Sequence, residues 1–254
     1  PTQPIPTRPA PFDRQGFDES DLIDWTPEIR ALALEAIEGF RLSPSVYSPP
    51  SLVEAGDGTR GTLGLPSATG GANWEGAAID PETGIIYVPS RTALAVLTLD
   101  NDENSDLDFS QSYGVRVPRV QGLEIVKPPY GRITAIDMNS GDHVWMIANA
   151  DTPERLTNHS LLGDVDLPRT GVPTRPGIFV TKTLLFVGEG TGGPGASPIF
   201  RAVDKETGEI VAEIDLPNNQ SGLPFTYEHG GKQYVSMFVS GGGQPAELVA
   251  YALP

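Results

Sequence analysis

The sequence predicts an all-β protein built as a β-propeller, and three observations carry that prediction. A pattern Ala-x-Asp-x-x-Ser-Gly-x-x-x-Trp runs from Ala135 to Trp145 and returns, without its last residue, from Ala202 to Gly208. Self-similar strand-turn-strand units of this kind signal a propeller or an array. The 254 residues include 29 Gly and 25 Pro and only 20% charged side chains, a composition of short strands joined by turns rather than of a helical bundle. A third Asp-x-x-Thr-Gly turn, Asp80 to Gly84, separates two further apolar runs.

The elements follow in order. Residues 1–60 read as a Pro-rich connector and a helix packed on the propeller, and residues 61–254 as its C-terminal blades. The opening stretch, with proline at positions 1, 4, 6, 9 and 11, is extended and draped over the body. A helix follows, with Thr26 as N-cap, Pro27 in its first turn and an apolar stripe of Ile29, Leu32, Ala33, Ala36, Ile37 and Phe40. Ser43-Pro44 and Pro49-Pro50 close it.

Strands are expected over 76–79, 85–89 and 94–99, then a polar loop from Asp100 to Arg119, then a hairpin over 133–147. Strands over 178–181, 184–188, 200–204 and 209–214 read as one complete blade. The last unit, 224–227, 234–239 and 248–252, has three strands; in a closed propeller the other end of the chain often lends the fourth. In each Asp-x-x-Ser/Thr-Gly turn the aspartate accepts hydrogen bonds from turn amides and the glycine takes positive φ. Trp145, four residues beyond its glycine, is placed to dock on a neighbouring sheet.

Charge and composition exclude several classes of function. A formal net charge of −16 argues against nucleic acid and anionic membranes as partners, since phosphate binding needs clustered Lys and Arg. No apolar run approaches the roughly 20 residues that cross a bilayer. The absence of cysteine excludes disulfides, thiolate metal sites and haem attachment through Cys-x-x-Cys-His. His143, His159 and His229 are not at metal-ligand spacing, and there is no defensible Ser-His-Asp grouping.

Two tempting motifs fail on their own chemistry. Gly188-Glu-Gly-Thr-Gly-Gly193 has the dinucleotide spacing, but Pro194 and Pro198 leave no helix to hold a pyrophosphate. Asp100, Asp102, Asn104, Asp106 and Asp108 alternate like a calcium loop, yet Ser105 and Gln111 stand where glycine and a bidentate glutamate are needed. That stretch reads as a solvated acidic loop.

Several stretches together resemble the pyrroloquinoline quinone (PQQ)-dependent dehydrogenases. Gly70-Gly-Ala-Asn-Trp74, with Gly76 to Gly84 and Tyr87-Val-Pro-Ser90, is similar to that family's Gly-Gly-x-Asn-Trp blade start. Ala135 to Trp145 resembles its tryptophan-docking motif, and Gly171 to Gly177 a loop on its cofactor face. Phe200 to Gly208, Pro224 to Tyr227 and Gly231 to Val235 extend the likeness over nearly the whole chain.

The resemblance implies the C-terminal blades of an eight-bladed periplasmic quinoprotein that oxidises an alcohol, a sugar or an aldehyde hydrate by hydride transfer to PQQ. It implies Asn73, Trp74 and Arg175 as cofactor contacts. It also implies that the Ca²⁺ ligands and the catalytic base belong to preceding blades, so that no metal ligand or catalytic residue is assigned here. The partners implied are those remaining blades, a small alcohol or sugar, and an electron acceptor that the sequence does not name. Departures from the pattern are Glu75 in place of a small residue, Pro176 in a loop that is commonly Gly-Gly, and Ala212 in place of a docking tryptophan. An alternative from a different class is a non-catalytic propeller that binds other proteins.

Overall fold

The computed structural model describes residues 4, 6–45, 47–52, 58–111, 115–191 and 195–252. Two complete four-stranded antiparallel blades form its centre. The first is Ala78–Asp80, Ile85–Arg91, Gly131–Asp137 and Asp142–Ala148; the second is Ile178–Val180, Leu184–Gly188, Ile199–Asp204 and Ile210–Asp215. A three-stranded sheet, Phe225–His229, Lys232–Gly241 and Gln244–Ala252, packs beyond the second blade.

The turns form as their sequence dictates. Asp80 accepts from Glu82 N at 3.0 Å, Asp137 from Asn139 N at 2.8 Å and Asp204 from Thr207 N at 2.9 Å. Gly84, Gly141 and Gly208 sit at φ of 75°, 75° and 79°, where a Cβ is costly. These aspartates are held below the usual carboxylate range, Asp137 and Asp204 first by turn N–H groups and Asp80 first by Lys205.

The stretch 94–99 corrects the expected order. The hairpin beginning at Gly131 is not a unit of its own: it pairs with Ile85–Arg91 from Gly131↔Arg91 through Asp137↔Ile85 and so completes the first blade. Ala95–Asp100 instead joins a separate sheet, antiparallel to Thr62–Gly64 and parallel to Ser51–Leu52. Apolar alternation marks a strand but not its partner, and residues 92–130 are long enough to leave the blade and return. Within the expected polar loop, Ser110–Gln111 pairs back onto Asp100 and Leu99, and Arg119–Val120 forms a short ladder with Leu123–Glu124.

That excursion is the bed of the helix Pro27–Ala36. Thr26 Oγ1 caps Ile29 N at 3.2 Å, and Ile29, Ala33 and Ile37 are buried with Val120, Leu123, Ile125, Tyr130, Leu156 and Leu162. The proline-rich opening lies across the first blade as an extended strap. Arg8 pairs with Asp142, Ala10 O meets the His143 ring at 2.9 Å, and Phe12 O accepts from Thr134 at 3.3 Å.

Trp145 docks on the next blade. Its indole lies against Gly208, where a Cβ would meet the ring at 3.0 Å, and its Nε1–H donates to Lys205 O at 3.1 Å. Tyr87, fully buried, packs 5.6 Å from the Trp145 ring and donates its hydroxyl to the same carbonyl at 3.1 Å. Beneath them Lys205 Nζ donates to Asp80 at 2.6 Å, with both side chains buried.

Candidate functional site

The site is assembled by three connections on one face of the blades. The turn before the first blade carries Asn73 and Trp74: Asn73 Oδ1 accepts from Trp74 N at 2.8 Å, and Gly76 N donates to Asn73 O at 3.0 Å. The turn uses the Asn73 oxygen and leaves its amide N–H groups without a partner among the described residues. Trp74 is 85% exposed, an open aromatic plane that no blade contact accounts for.

The connection between the two blades carries Arg175. Its backbone N–H donates to Thr191 O at 2.9 Å, while the buried Thr174 hydroxyl donates to Glu189 O. Arg175 Nη1 lies 3.3 Å from Glu75 Oε1. Glu75, the departure from the small residue of the resemblance, is thus the counter-charge that ties the two loops together. Gly190 packs so tightly under Arg175 that a Cβ would come 2.3 Å from its carbonyl oxygen.

The third connection is Ser221–Leu223. Trp74, Arg175, Thr191, Ser221 and Leu223 surround a cleft of about 190 Å³. Beside it Asn73, Ser90, Thr174 and Arg175 line a notch of about 10 Å³, room for one water. The Ser90 hydroxyl is buried with no hydrogen-bond partner among the described residues. A buried polar atom without a partner is uncommon. The structure therefore brings Asn73, Trp74 and Arg175 to one place, from sequence positions about a hundred residues apart.

Several supporting residues were not singled out in the sequence. Gln220, buried at the junction of the loops, donates from Nε2 to Gly177 O at 3.1 Å and Gly222 O at 3.0 Å and accepts from Gly177 N at 3.3 Å. Arg201, 2% exposed, pairs with Glu189 at 2.6 Å, Glu213 at 2.7 Å and Asp151 at 3.1 Å. An arginine in the apolar run Ile199–Val203 was the available clue, because a buried guanidinium needs partners. Among the described residues no group of three or more His, Asp or Glu side chains is arranged to hold a metal ion. The glycine-rich stretch 188–193 lies partly outside the described residues.

Fold and site together define a class: propeller blades whose connecting loops converge on a small, mostly uncharged cleft with an exposed tryptophan. The chain belongs to the family described as PQQ, Glucose/ethanol/alcohol dehydrogenase, beta-propeller domain, which matches residues 1–235. The glycerol dehydrogenase large subunit of Gluconobacter thailandicus is 27% identical over 315 aligned residues, covering 100% of this chain and 40% of that protein. A probable quinate dehydrogenase (quinone) of Xanthomonas campestris pv. juglandis is 26% identical, covering 100% and 34%. The quinohemoprotein alcohol dehydrogenase of Comamonas testosteroni aligns at 20% identity with a TM-score of 0.45, covering 70% of this chain and 23% of that one. The chain thus spans two fifths or less of these relatives.

Proposed function

We propose that this chain is the quinone-flanking sector of a PQQ-dependent dehydrogenase that oxidises a hydroxyl-bearing alcohol, polyol or sugar. The observation that carries the reading is the convergence of Trp74 and Arg175 on one cleft and of Asn73 and Arg175 on the notch beside it. The family's relatives support it at the level of class, since they include glycerol and quinate dehydrogenases.

The residues present fit a planar quinone that bears carboxylates. Trp74 offers a stacking plane, the open Asn73 amide and the Arg175 guanidinium offer donors to quinone or carboxylate oxygens, and the orphaned Ser90 hydroxyl stands beside them. When bound, PQQ supplies the hydride acceptor for alcohol oxidation. The loops would hold the acceptor in place.

A general base needs an uncommitted proton-accepting side chain within reach of the substrate hydroxyl, and among the described residues neither the cleft nor the notch is lined by His, Lys or Tyr. Among the described residues lining the cleft and the notch, the carboxylate is Glu75, and it is paired with Arg175. We therefore assign the proton acceptor and the Ca²⁺ ligands to further blades of the ring. The C-terminal sheet supports that assignment. Tyr87-Val88, Phe186-Val187 and Tyr234-Val235 recur at the same place in the second strand of each sheet. Tyr87 is buried at the blade junction and Phe186 packs against the C-terminal sheet, while Tyr227, beside Tyr234, and Phe238 and Leu248 are 42%, 49% and 57% exposed. We assign the protein to the periplasm, and subcellular fractionation of a tagged native protein tests this.

The test is direct. PQQ is titrated into the chain with Ca²⁺ present, following tryptophan fluorescence, and reduction of an artificial acceptor is then assayed with an alcohol. Saturable quenching that weakens about tenfold in Asn73→Ala, without turnover by the isolated chain, is expected. Absence of PQQ binding overturns the cofactor reading, and robust turnover by this chain alone overturns the assignment of the base elsewhere.

A further inference from the structure

A second cleft opens on the same face of the first blade, between that blade and the excursion. Its volume is about 210 Å³, and Ala93, Leu94, Val117, Val126 and Pro173 give it apolar walls, with Arg91 at the blade side. Arg91 ends the second strand of the blade, where its N–H donates to Gly71 O at 2.9 Å and its Nη2 to the Thr69 hydroxyl. Pro173 stands two residues before Arg175, so the connection between the two blades contributes to both clefts.

The charges around the second cleft are unequally matched. Arg119 and the carboxylate Glu124, which both also line it, are paired at 3.2 Å, and Glu124 in turn takes both terminal nitrogens of Arg155 at 2.7 and 2.9 Å. Arg91 has no carboxylate partner among the described residues, although the chain carries 33 Asp and Glu against 17 Lys and Arg. A half-buried guanidinium whose fork is held by a hydroxyl on one side keeps N–H groups to spare. Its surroundings disfavour its charge: burial first and then the positive Arg175 lower its proton affinity, with Glu75 opposing. An anion seated there would offset the repulsion from Arg175.

We propose that this cleft binds the carboxylate of a small organic acid, with Arg91 gripping the carboxylate and the apolar walls receiving its carbon skeleton. A neutral alcohol of the same skeleton lacks the group that Arg91 reads, so the cleft discriminates by charge rather than by shape. Two sources share this chemistry, a free organic acid and a carboxylate of a bound quinone.

Benzoate is the probe and benzyl alcohol its neutral counterpart, each titrated into the full chain and followed by calorimetry. Saturable benzoate binding, at least tenfold tighter than benzyl alcohol and weakened about tenfold by Arg91→Gln, is expected. Arg119→Gln should change it by less than threefold. As a readout that needs no variant, the Arg91 Nε–H resonance should shift on adding benzoate and stay in place on adding benzyl alcohol. Equal binding of the two probes, no saturable benzoate binding, or an unmoved Arg91 resonance overturns the proposal. Repeating the titration with PQQ separates the sources: unaltered benzoate affinity assigns the cleft to a free acid, and competition assigns it to the quinone's own carboxylate. Benzoate binding in a chain that fails to bind PQQ would sink the cofactor reading and leave this cleft standing.

Discussion

The two junctions between sheets solve one packing problem with different side chains. Between the first and second blades, an indole and a phenol from one blade share a single carbonyl of the next, above a buried Lys205–Asp80 pair. Between the second blade and the C-terminal sheet there is no tryptophan. Phe179, Phe186 and Phe200 stack with centroids 4.9 and 6.0 Å apart against Met237, Val239 and Tyr251. Ala212 stands in the register position that Trp145 holds in the first blade, opposite Ala202 as Trp145 is opposite Ala135. The first junction is directional and partly polar, whereas the second is held by apolar area and by Gln220 at its loop end. Polar docking fixes one angle between sheets; an apolar stack tolerates several.

The comparison breaks most visibly at the tryptophan. Trp145→Ala should lower unfolding stability by about 3 kcal/mol, read as a fall in the urea midpoint. A change below about 1 kcal/mol would mean that the indole is not the seal of that junction. At the second junction Gln220→Ala should cost about 2 kcal/mol, because it leaves the Gly177 N–H and C=O buried and unpaired. It should also alter Trp74 emission, since Gly177 lines the Trp74 cleft.

A third measurement sharpens the polar half of the contrast. Lys205 and Thr83 hold the Asp80 carboxyl at about 2. A depressed folded-state value means its stabilisation is complete above the ordinary aspartate range near 4 and is lost as pH falls towards 2. Asp80→Asn should therefore flatten the stability profile between about pH 4 and 2 and lower the plateau above it. An unchanged acid limb would show the pair to be inert. Smallest of all, Ala212→Trp should change stability by no more than about 0.5 kcal/mol. Among the described residues no turn follows the third strand of the C-terminal sheet to receive the ring, so a large gain would reveal an unrecognised docking surface.

What the sequence made legible was whatever local chemistry decides. The Asp-x-x-Ser/Thr-Gly turns, the Thr26 cap and the four strands from Ile178 to Asp215 rest on neighbours in the chain and formed as read, whereas the helix stops at Ala36, short of Phe40 and of the prolines expected to close it. The family motifs also located Asn73, Trp74 and Arg175, which the fold brings together. Partnership at a distance was not legible: Ala95–Asp100 has a clean strand pattern that does not reveal its pairing with Thr62–Gly64. The same holds for Gln220 and Ser90, whose importance comes from what surrounds them after folding. Glu75 lay between, visible as a departure and explained only when Arg175 arrived beside it.

Because Arg91 and Gly131 face each other across a ladder rung, the polypeptide departs from the first blade and re-enters it at one point. The blade would be whole if residues 92–130 were exchanged for a tight reversal. Those residues are in effect a cassette inserted between two neighbouring strands of one blade. The helix Pro27–Ala36 has its bed on that cassette, so a graft from one relative to another must carry both pieces or leave each without its counterpart.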